Sequence, residues 1–202
     1  MSIVKTMHDR LVYSRRMHLL AEMMSRELPR QATILDVGCG DGKIDALITH
    51  ERPDVVIQGI DVLVRPQTHI PVTAFDGKTI PHPDGSFDVV MFIDVLHHCL
   101  HPELLLAEAT RVAKKAVLLK DHTRDGLLAG PTLRFMDWFG NAHHGVSLPY
   151  NYWSRSQWNN CLRDLGLKAD QWRDRLGLYP WPATWLFDRK LHFIASLERT
   201  TT

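Results

Sequence analysis

Apolar positions along this chain change their period several times, and each change marks an element. Over residues 7–28, Met7, Leu11, Leu19, Leu20, Met23, Met24 and Leu28 recur at roughly helical spacing, with Arg15, Arg16 and Glu22 between them. That pattern predicts an amphipathic helix, which Pro29 ends. The short apolar run "ATILDVG" then reads as a strand. "KIDALITHER" reads as a helix that stops before Pro53, and "DVVIQGIDV" as a second strand. Residues 65–86 are rich in Pro and Gly and hold one short extended piece, "VTAFD". "SFDVVMFIDVL" predicts a long buried strand, "PELLLAEATRVA" an amphipathic helix, and "KKAVLLKDH" another buried strand.

Strands that alternate with helices imply right-handed crossovers and a mostly parallel sheet covered on both faces. The strand segments are continuously apolar rather than alternating, as strands buried on both sides are. From Asp121 to Trp153 the periodicity breaks into a mixture of Gly, Pro, His and aromatic residues, an irregular or partly helical insertion. Regularity returns with "SRSQWNNCLRDLG", a helix with Ser154 or Ser156 as N-cap and Gly166 as its stop. "LKADQWRDRL" and "LHFIASLER" read as two last strands, joined by a loop containing "LYPWPATWLFD".

Composition adds exclusions. The chain of 202 residues, with 45% hydrophobic and 23% charged positions, suits a single domain, taken as residues 1–202. A net charge of +1 with His neutral gives no field for nucleic acid or an anionic membrane. Cys39, Cys99 and Cys161 are far apart and odd in number, which suits a reducing compartment. No run approaches the ~18 apolar residues of a membrane span, and the first ten residues lack a signal-peptide pattern. The expected location is the cytoplasm, as a monomer or homodimer.

The candidate chemistry starts at "ILDVGCGDGK", Ile34 to Lys43. Gly38, Gly40 and Gly42 fall where a strand turns into a helix, and lacking Cβ they let a backbone approach a ligand or take positive φ. The helix N-terminus that follows points at the same place. The spacing is G-x-G-x-G. A dinucleotide fingerprint would need glycine where Lys43 stands, and a phosphate loop would need Ser or Thr where Ile44 stands. A plain tight turn without a ligand is the alternative.

Four acids then recur at or near the carboxyl ends of successive strands: Asp36, Asp61, Asp76 and Asp94. Asp61, about twenty residues beyond the glycines, is placed to accept from a ribose diol. No basic cluster accompanies these acids, which argues against a pyrophosphate and for a nucleoside carrying an amine or sulfonium cation.

In "ILDVGCGDGK", "GIDV", "FDG" and "SFDVVMFIDVLHH" the chain resembles the class I S-adenosylmethionine-dependent methyltransferases, specifically the small-molecule type 11 group. The resemblance covers about residues 32–120. The ends match in architecture: an N-terminal cap helix within 1–30, and a final helix with an antiparallel strand pair. It implies an α/β, doubly wound sheet of about seven mostly parallel strands, the last antiparallel, with helices on both faces. It implies S-adenosylmethionine as cofactor and a small-molecule methyl acceptor, with the methyl transferred by in-line displacement.

By the same resemblance, Asp36 helps bind the methionyl end, and Gly38, Cys39 and Gly40 bring the backbone against the cofactor. Asp61 holds the ribose hydroxyls with Val62 beside the adenine, Asp76 accepts from the adenine amine with Gly77 adjacent, and Asp94 and Val95 line the methionyl moiety. A Lys-Pro-Gly-Gly turn common in the group is replaced by "VAKKAVLL", a change confined to a loop. Two other classes stay open: a non-catalytic S-adenosylmethionine-binding sensor or scaffold, and a nicotinamide dehydrogenase, which the glycine spacing disfavours.

The remaining candidates lie on the acceptor side. Asp121 and His122 leave the fifth strand at its carboxyl end, where a proton acceptor would stand; His122 is the first choice and His97 the second. The insertion 121–153 is expected to close with the N-terminal helix over a mainly apolar pocket. Histidines cluster at His97, His98, His101, His122, His143 and His144. His97 and His101 have i, i+4 spacing, but Pro102 interrupts a helix there and no HExxH motif or Cys pair is present, so no metal is expected. Trp138, Tyr150, Tyr152 and Trp153 read as packing or pocket walls, and Trp181, Trp185 and Phe187 as hairpin packing or a partner surface, with packing favoured. Arg15 and Arg16 read as a solvated helix face.

Overall fold

The computed structural model describes residues 3–141 and 149–200. The elements follow in the expected order: α1 (Ile3–Glu27), β1 (Thr33–Val37), α2 (Lys43–Glu51), β2 (Val56–Asp61), β3 (Val72–Ala74), β4 (Phe87–Ile93), α3 (Pro102–Val112), β5 (Ala113–His122), α4 (Ala129–Asn141), α5 (Arg155–Asp164), β6 (Leu167–Arg173), α6 (Ala183–Phe187) and β7 (His192–Arg199). The strands form one seven-stranded sheet in the order β3-β2-β1-β4-β5-β7-β6. Strands β1 to β5 pair in parallel, and β7 is antiparallel to both β5 and β6.

The apolar runs give two cores because successive residues of a strand face opposite sides. Leu35, Val90, Phe92 and Leu119 turn to one face, where Leu106 and Ala109 of α3 and Trp158 and Leu162 of α5 cover them. Ile34, Val89, Met91 and Leu118 turn to the other, beneath Leu20 and Met24 of α1 and Ile48 of α2. Burying a side chain of this kind is worth about 1.5–3 kcal/mol, so the central strands are fixed by both layers.

Local signals set the ends. Ser154 caps α5 by accepting from Gln157 N–H, and the Gln157 side chain accepts in return from Ser154 N–H. Gly166, at φ +65°, turns the chain out of α5.

One expectation is corrected. Trp181 and Trp185 are not packed: they stand 84% and 74% exposed around α6, a helix of only five residues with no buried position. The insertion after β5 is partly helical among its described residues, α4 running thirteen residues through it with Trp138 57% exposed. Among the described residues, no helix is long and apolar enough to cross a membrane.

Candidate active site

The turn between β1 and α2 carries three glycines at positive φ: Gly38 at +78°, Gly40 at +62° and Gly42 at +72°. Their reasons differ. A Cβ on Gly38 would lie 2.7 Å from both Val95 methyl carbons, so the turn is pressed against the end of β4. A Cβ on Gly40 would meet nothing within 4 Å. Gly40 is therefore held as glycine by its φ alone, and its backbone faces open space. That space is a cavity of about 610 Å³, lined among others by Tyr13 and Met17 of α1, Asp36, Gly38, Cys39, Gly40 and Ile93.

The acids on the strand ends do different work. Asp36 is 3% exposed, and its Oδ1 is buried without a hydrogen-bond partner. Burial, and next to it the neighbouring carboxyl of Asp45, push its pKa well above the usual carboxylate range. Asp45 lies in the first turn of α2, fully buried with both oxygens unpartnered, and burial pushes it up to about 7. The pair therefore keeps a proton near neutral pH.

Asp61 accepts from the Gly40 N–H and the Leu63 N–H, each at 2.8 Å, tying the end of β2 to the glycine turn. Asp76 is exposed and turned back on its own loop, accepting from Lys78 and Thr79 N–H at 2.8 Å. Gly77 beside it lies against Val62, itself 64% exposed.

Asp94, at φ +59°, accepts from Arg16 at 2.6 Å and from the Lys120 ammonium. Despite burial, Lys120 and Arg16 hold its pKa well below the usual range. Arg16 is thus no solvated residue but the tie between α1 and the end of β4, and its helical spacing gave no hint of that. Arg15, exposed, donates to the Leu178 carbonyl at 3.2 Å.

Beyond β4 the chain makes a 3-10 turn, Leu96–His98, where His97 is buried. Its Nδ1 lies 2.7 Å from Asp121 Oδ1. Asp121 also accepts from Leu96 N–H at 2.9 Å and His122 N–H at 2.7 Å, so both its oxygens are used. Against burial, Asp121 raises the pKa of His97 to about 10. The His122 ring is 5% exposed and packs among His97, Asp121 and His192. Burial and then Lys120 lower its pKa to about 4, leaving a neutral imidazole.

His97, Asp121 and His122 are not among the residues that line the cavity, and neither are Asp61, Val62, Asp76, Gly77, Asp94 and Val95. The first three contact one another; the sequence expected a proton acceptor among them at the open acceptor face, whereas all three lie in a buried polar layer. The sequence reading missed three members of that layer: Lys120, His192, and Asp137 of α4, whose carboxylate lies 3.4 Å from His97 Nε2 and accepts from the Tyr152 hydroxyl at 2.5 Å. His143 and His144 lie outside the described residues.

These features suit a nucleoside bearing a sulfonium and an amino acid end. The cavity lies within the range of small-molecule sites, an unpartnered carboxylate oxygen belongs to one of its lining residues, and the bare backbone of Gly40 borders it.

The family profile described as a methyltransferase domain matches residues 8–171. A tRNA (carboxymethyluridine(34)-5-O)-methyltransferase of Schizosaccharomyces pombe is 32% identical over 83 residues, 39% of this chain and 35% of that protein. A 2-methyl-6-phytyl-1,4-hydroquinone methyltransferase of Synechocystis is 26% identical over 155 residues, 72% of this chain and 41% of that protein. The chain thus spans about two-fifths or less of the length of the curated relatives it matches. Among solved structures, the Burkholderia thailandensis 1,6-didemethyltoxoflavin-N1-methyltransferase with bound 1,6-didemethyltoxoflavin and S-adenosylhomocysteine superposes with a TM-score of 0.66 at 16% identity, covering 98% of this chain and 85% of that one. At that identity the likeness shows the fold.

Proposed function

The chain belongs to the methyltransferase-domain family of class I S-adenosylmethionine-dependent enzymes, and from that premise we propose that it transfers a methyl group to a small-molecule acceptor. The observation that carries this is the cavity beside Gly40, with Asp36, whose buried Oδ1 has no hydrogen-bond partner, on its lining. S-adenosylmethionine, when bound, supplies an electrophilic methyl on a sulfonium.

This chain's residues would do the rest. Asp36 offers an acceptor to an ammonium or hydroxyl donor, and the backbone of Gly38, Cys39 and Gly40 borders the methionyl end. Asp61 holds the glycine turn and offers its carboxylate to the ribose diol, while Val62, Asp76 and Gly77 flank the adenine. Asp94 and Val95 close the methionyl side. His97, Asp121 and His122 act from behind as positioning residues: they fix the 3-10 turn against β5. Such an arrangement contributes alignment and water exclusion, which suits a donor that is already reactive.

The single-domain organisation over 1–202, with α1 and the 121–153 segment covering the acceptor side, belongs to the same proposal. So does a cytoplasmic location, which the three free cysteines suit. A small molecule is favoured over RNA because a net charge of +1 gives no strong overall field for a polyanion.

Calorimetry with S-adenosylmethionine and NAD tests the cofactor half, and micromolar-range binding of the first alone is expected. An acceptor screen that measures S-adenosylhomocysteine release, with small-molecule extracts and total RNA as separate arms, tests the rest. Turnover with RNA alone would overturn the acceptor class. Cofactor binding without turnover in any arm would favour a sensor or scaffold.

A further inference from the structure

We propose that His97 Nε2, His98 Nδ1 and Asp137 Oδ1 form a binding site for a divalent transition-metal ion of the zinc type. The two imidazole nitrogens are buried, and neither has a hydrogen-bond partner. A buried polar atom left so costs about 1–3 kcal/mol, and two on adjacent residues require a common reason. The two rings lie 4.1 Å apart between centroids, and the three donor atoms are all within 4.8 Å of one another.

The geometry suits one ion better than a proton. His97 Nε2 and Asp137 Oδ1 are 3.4 Å apart, an ion pair well beyond the ~2.7–2.9 Å usual for a charge-assisted hydrogen bond. Two donors at that separation, each about 2.1 Å from a shared ion, subtend roughly 110° at it, a tetrahedral angle. The outer contacts are also those of a metal-binding imidazole. Asp121 Oδ1 takes the Nδ1 side of His97 at 2.7 Å, which leaves Nε2 facing Asp137, where an ion would displace its proton. The Tyr152 hydroxyl donates to Asp137 Oδ2 and fixes that carboxylate.

An imidazolium at His97 bridging Asp121 and Asp137 would account for one of the two unpartnered nitrogens and leave His98 Nδ1 unexplained. An ion accounts for both. Three protein donors of this kind leave a fourth position for water or another oxygen ligand, and His98, the least buried of the three residues, faces nearest to solvent. No spacing in the sequence announces the site, because its carboxylate comes from α4, on the far side of β5. The absence of HExxH and Cys pairs could not bear on it.

The test uses the untagged full chain, purified without chelator. Elemental analysis should find close to one zinc-type ion per chain. After chelator treatment, Co²⁺ serves as the probe, and its titration should give a visible tetrahedral d–d absorption that saturates at one equivalent. Asp121→Asn should weaken Co²⁺ binding about 10–100-fold. His98→Gln and Asp137→Asn should weaken it further still, and His101→Gln, which alters an exposed histidine outside the site, should leave it unchanged. Metal content well below one ion per chain with no Co²⁺ spectrum in the native chain overturns the proposal, and needs no variant to fold. Nitrogen-15 NMR showing His97 with both nitrogens protonated in the presence of Co²⁺ or Zn²⁺ overturns it as well. S-adenosylmethionine calorimetry on the chain as purified keeps the outcomes apart: a chain that binds the cofactor but neither carries nor takes up metal sinks this inference alone, and one that takes up metal but does not bind the cofactor sinks only the functional reading.

Discussion

Gly38, on the turn after β1, and Val95, just beyond β4, stand so close that a single added carbon on Gly38 would lie 2.7 Å from both Val95 methyl carbons. Two parallel strands are thereby locked at their carboxyl ends. Gly38→Ala should lose about 1–2 kcal/mol for a side chain at φ +78° and about 1–3 kcal/mol more for overpacking. Gly40→Ala meets nothing and should lose only the first part. Urea midpoints should rank native, Gly40→Ala, Gly38→Ala, while calorimetry shows cofactor binding impaired in both. Equal stability for the two variants would mean that the turn can move away from β4.

Asp61 joins two loops through its two oxygens, accepting from Gly40 and Leu63 N–H groups at 2.8 Å. Asp61→Ala should weaken S-adenosylmethionine binding at least tenfold, on the order of 1.4 kcal/mol. It should also lower stability by about 0.5–1.5 kcal/mol, because two part-buried N–H groups lose their acceptor. Asp61→Asn keeps one acceptor oxygen and should fall between. Cofactor affinity unchanged in Asp61→Ala would place the ribose elsewhere.

Much of this site was legible because it is local. Gly38, Gly40 and Asp61 sit at strand ends that periodicity locates to within a residue or two, and backbone chemistry fixes what glycine can do there. The unreadable part is the buried polar layer. Arg16 looked solvated because helical spacing tells which side faces the core, not whether a carboxylate waits there. Lys120 lay inside an apolar strand run, and Asp137 on a segment whose period was broken. Asp45 looked like an ordinary polar first-turn residue, and only the packing of α2 on the sheet shows it beside Asp36. Trp181 and Trp185 were misread in the other direction: aromatic character predicts burial only where an element supplies a covering face.

The Asp36–Asp45 pair makes stability depend on pH in a defined sense. Asp45 titrates near 7 when folded, chiefly through burial, and near ~3.9 when unfolded. Between those values the folded chain holds a proton that the unfolded chain has lost, so stability falls as pH rises across the window. Asp36 shifts in the same direction. Denaturation midpoints measured from pH 4.5 to 8 should therefore decline more steeply for the native chain than for Asp45→Asn, by on the order of 1–4 kcal/mol across the range. The same proton opposes a cationic ligand, so S-adenosylmethionine affinity should rise with pH relative to uncharged-sulfur S-adenosylhomocysteine. A native profile as flat as that of Asp45→Asn would show that the pair is ionised.

Asp94 carries two cations of unequal environment, and the difference gives the last test. Lys120 is fully buried, and it also lies 3.3 Å from His192 Nδ1. Arg16 pairs with the same carboxylate where both side chains retain some contact with water, 26% and 21% exposed. Breaking a buried pair costs up to about 3–5 kcal/mol where the remaining charge is stranded, a cost that Arg16 reduces here by staying on Asp94, whereas a solvent-touched pair is worth about 1 kcal/mol or less. Lys120→Met should accordingly reduce the denaturation free energy more than Arg16→Met does. Ligand binding should show a second difference. Arg16 anchors α1, whose Met17 lines the cavity, so its loss should weaken S-adenosylmethionine several-fold in a protein of nearly native stability. Arg16→Lys keeps the charge but not the planar donor fork and should recover only part of that affinity. Native cofactor affinity in Arg16→Met would mean that α1 keeps its place on the cavity through the packing of Leu20 and Met24 alone.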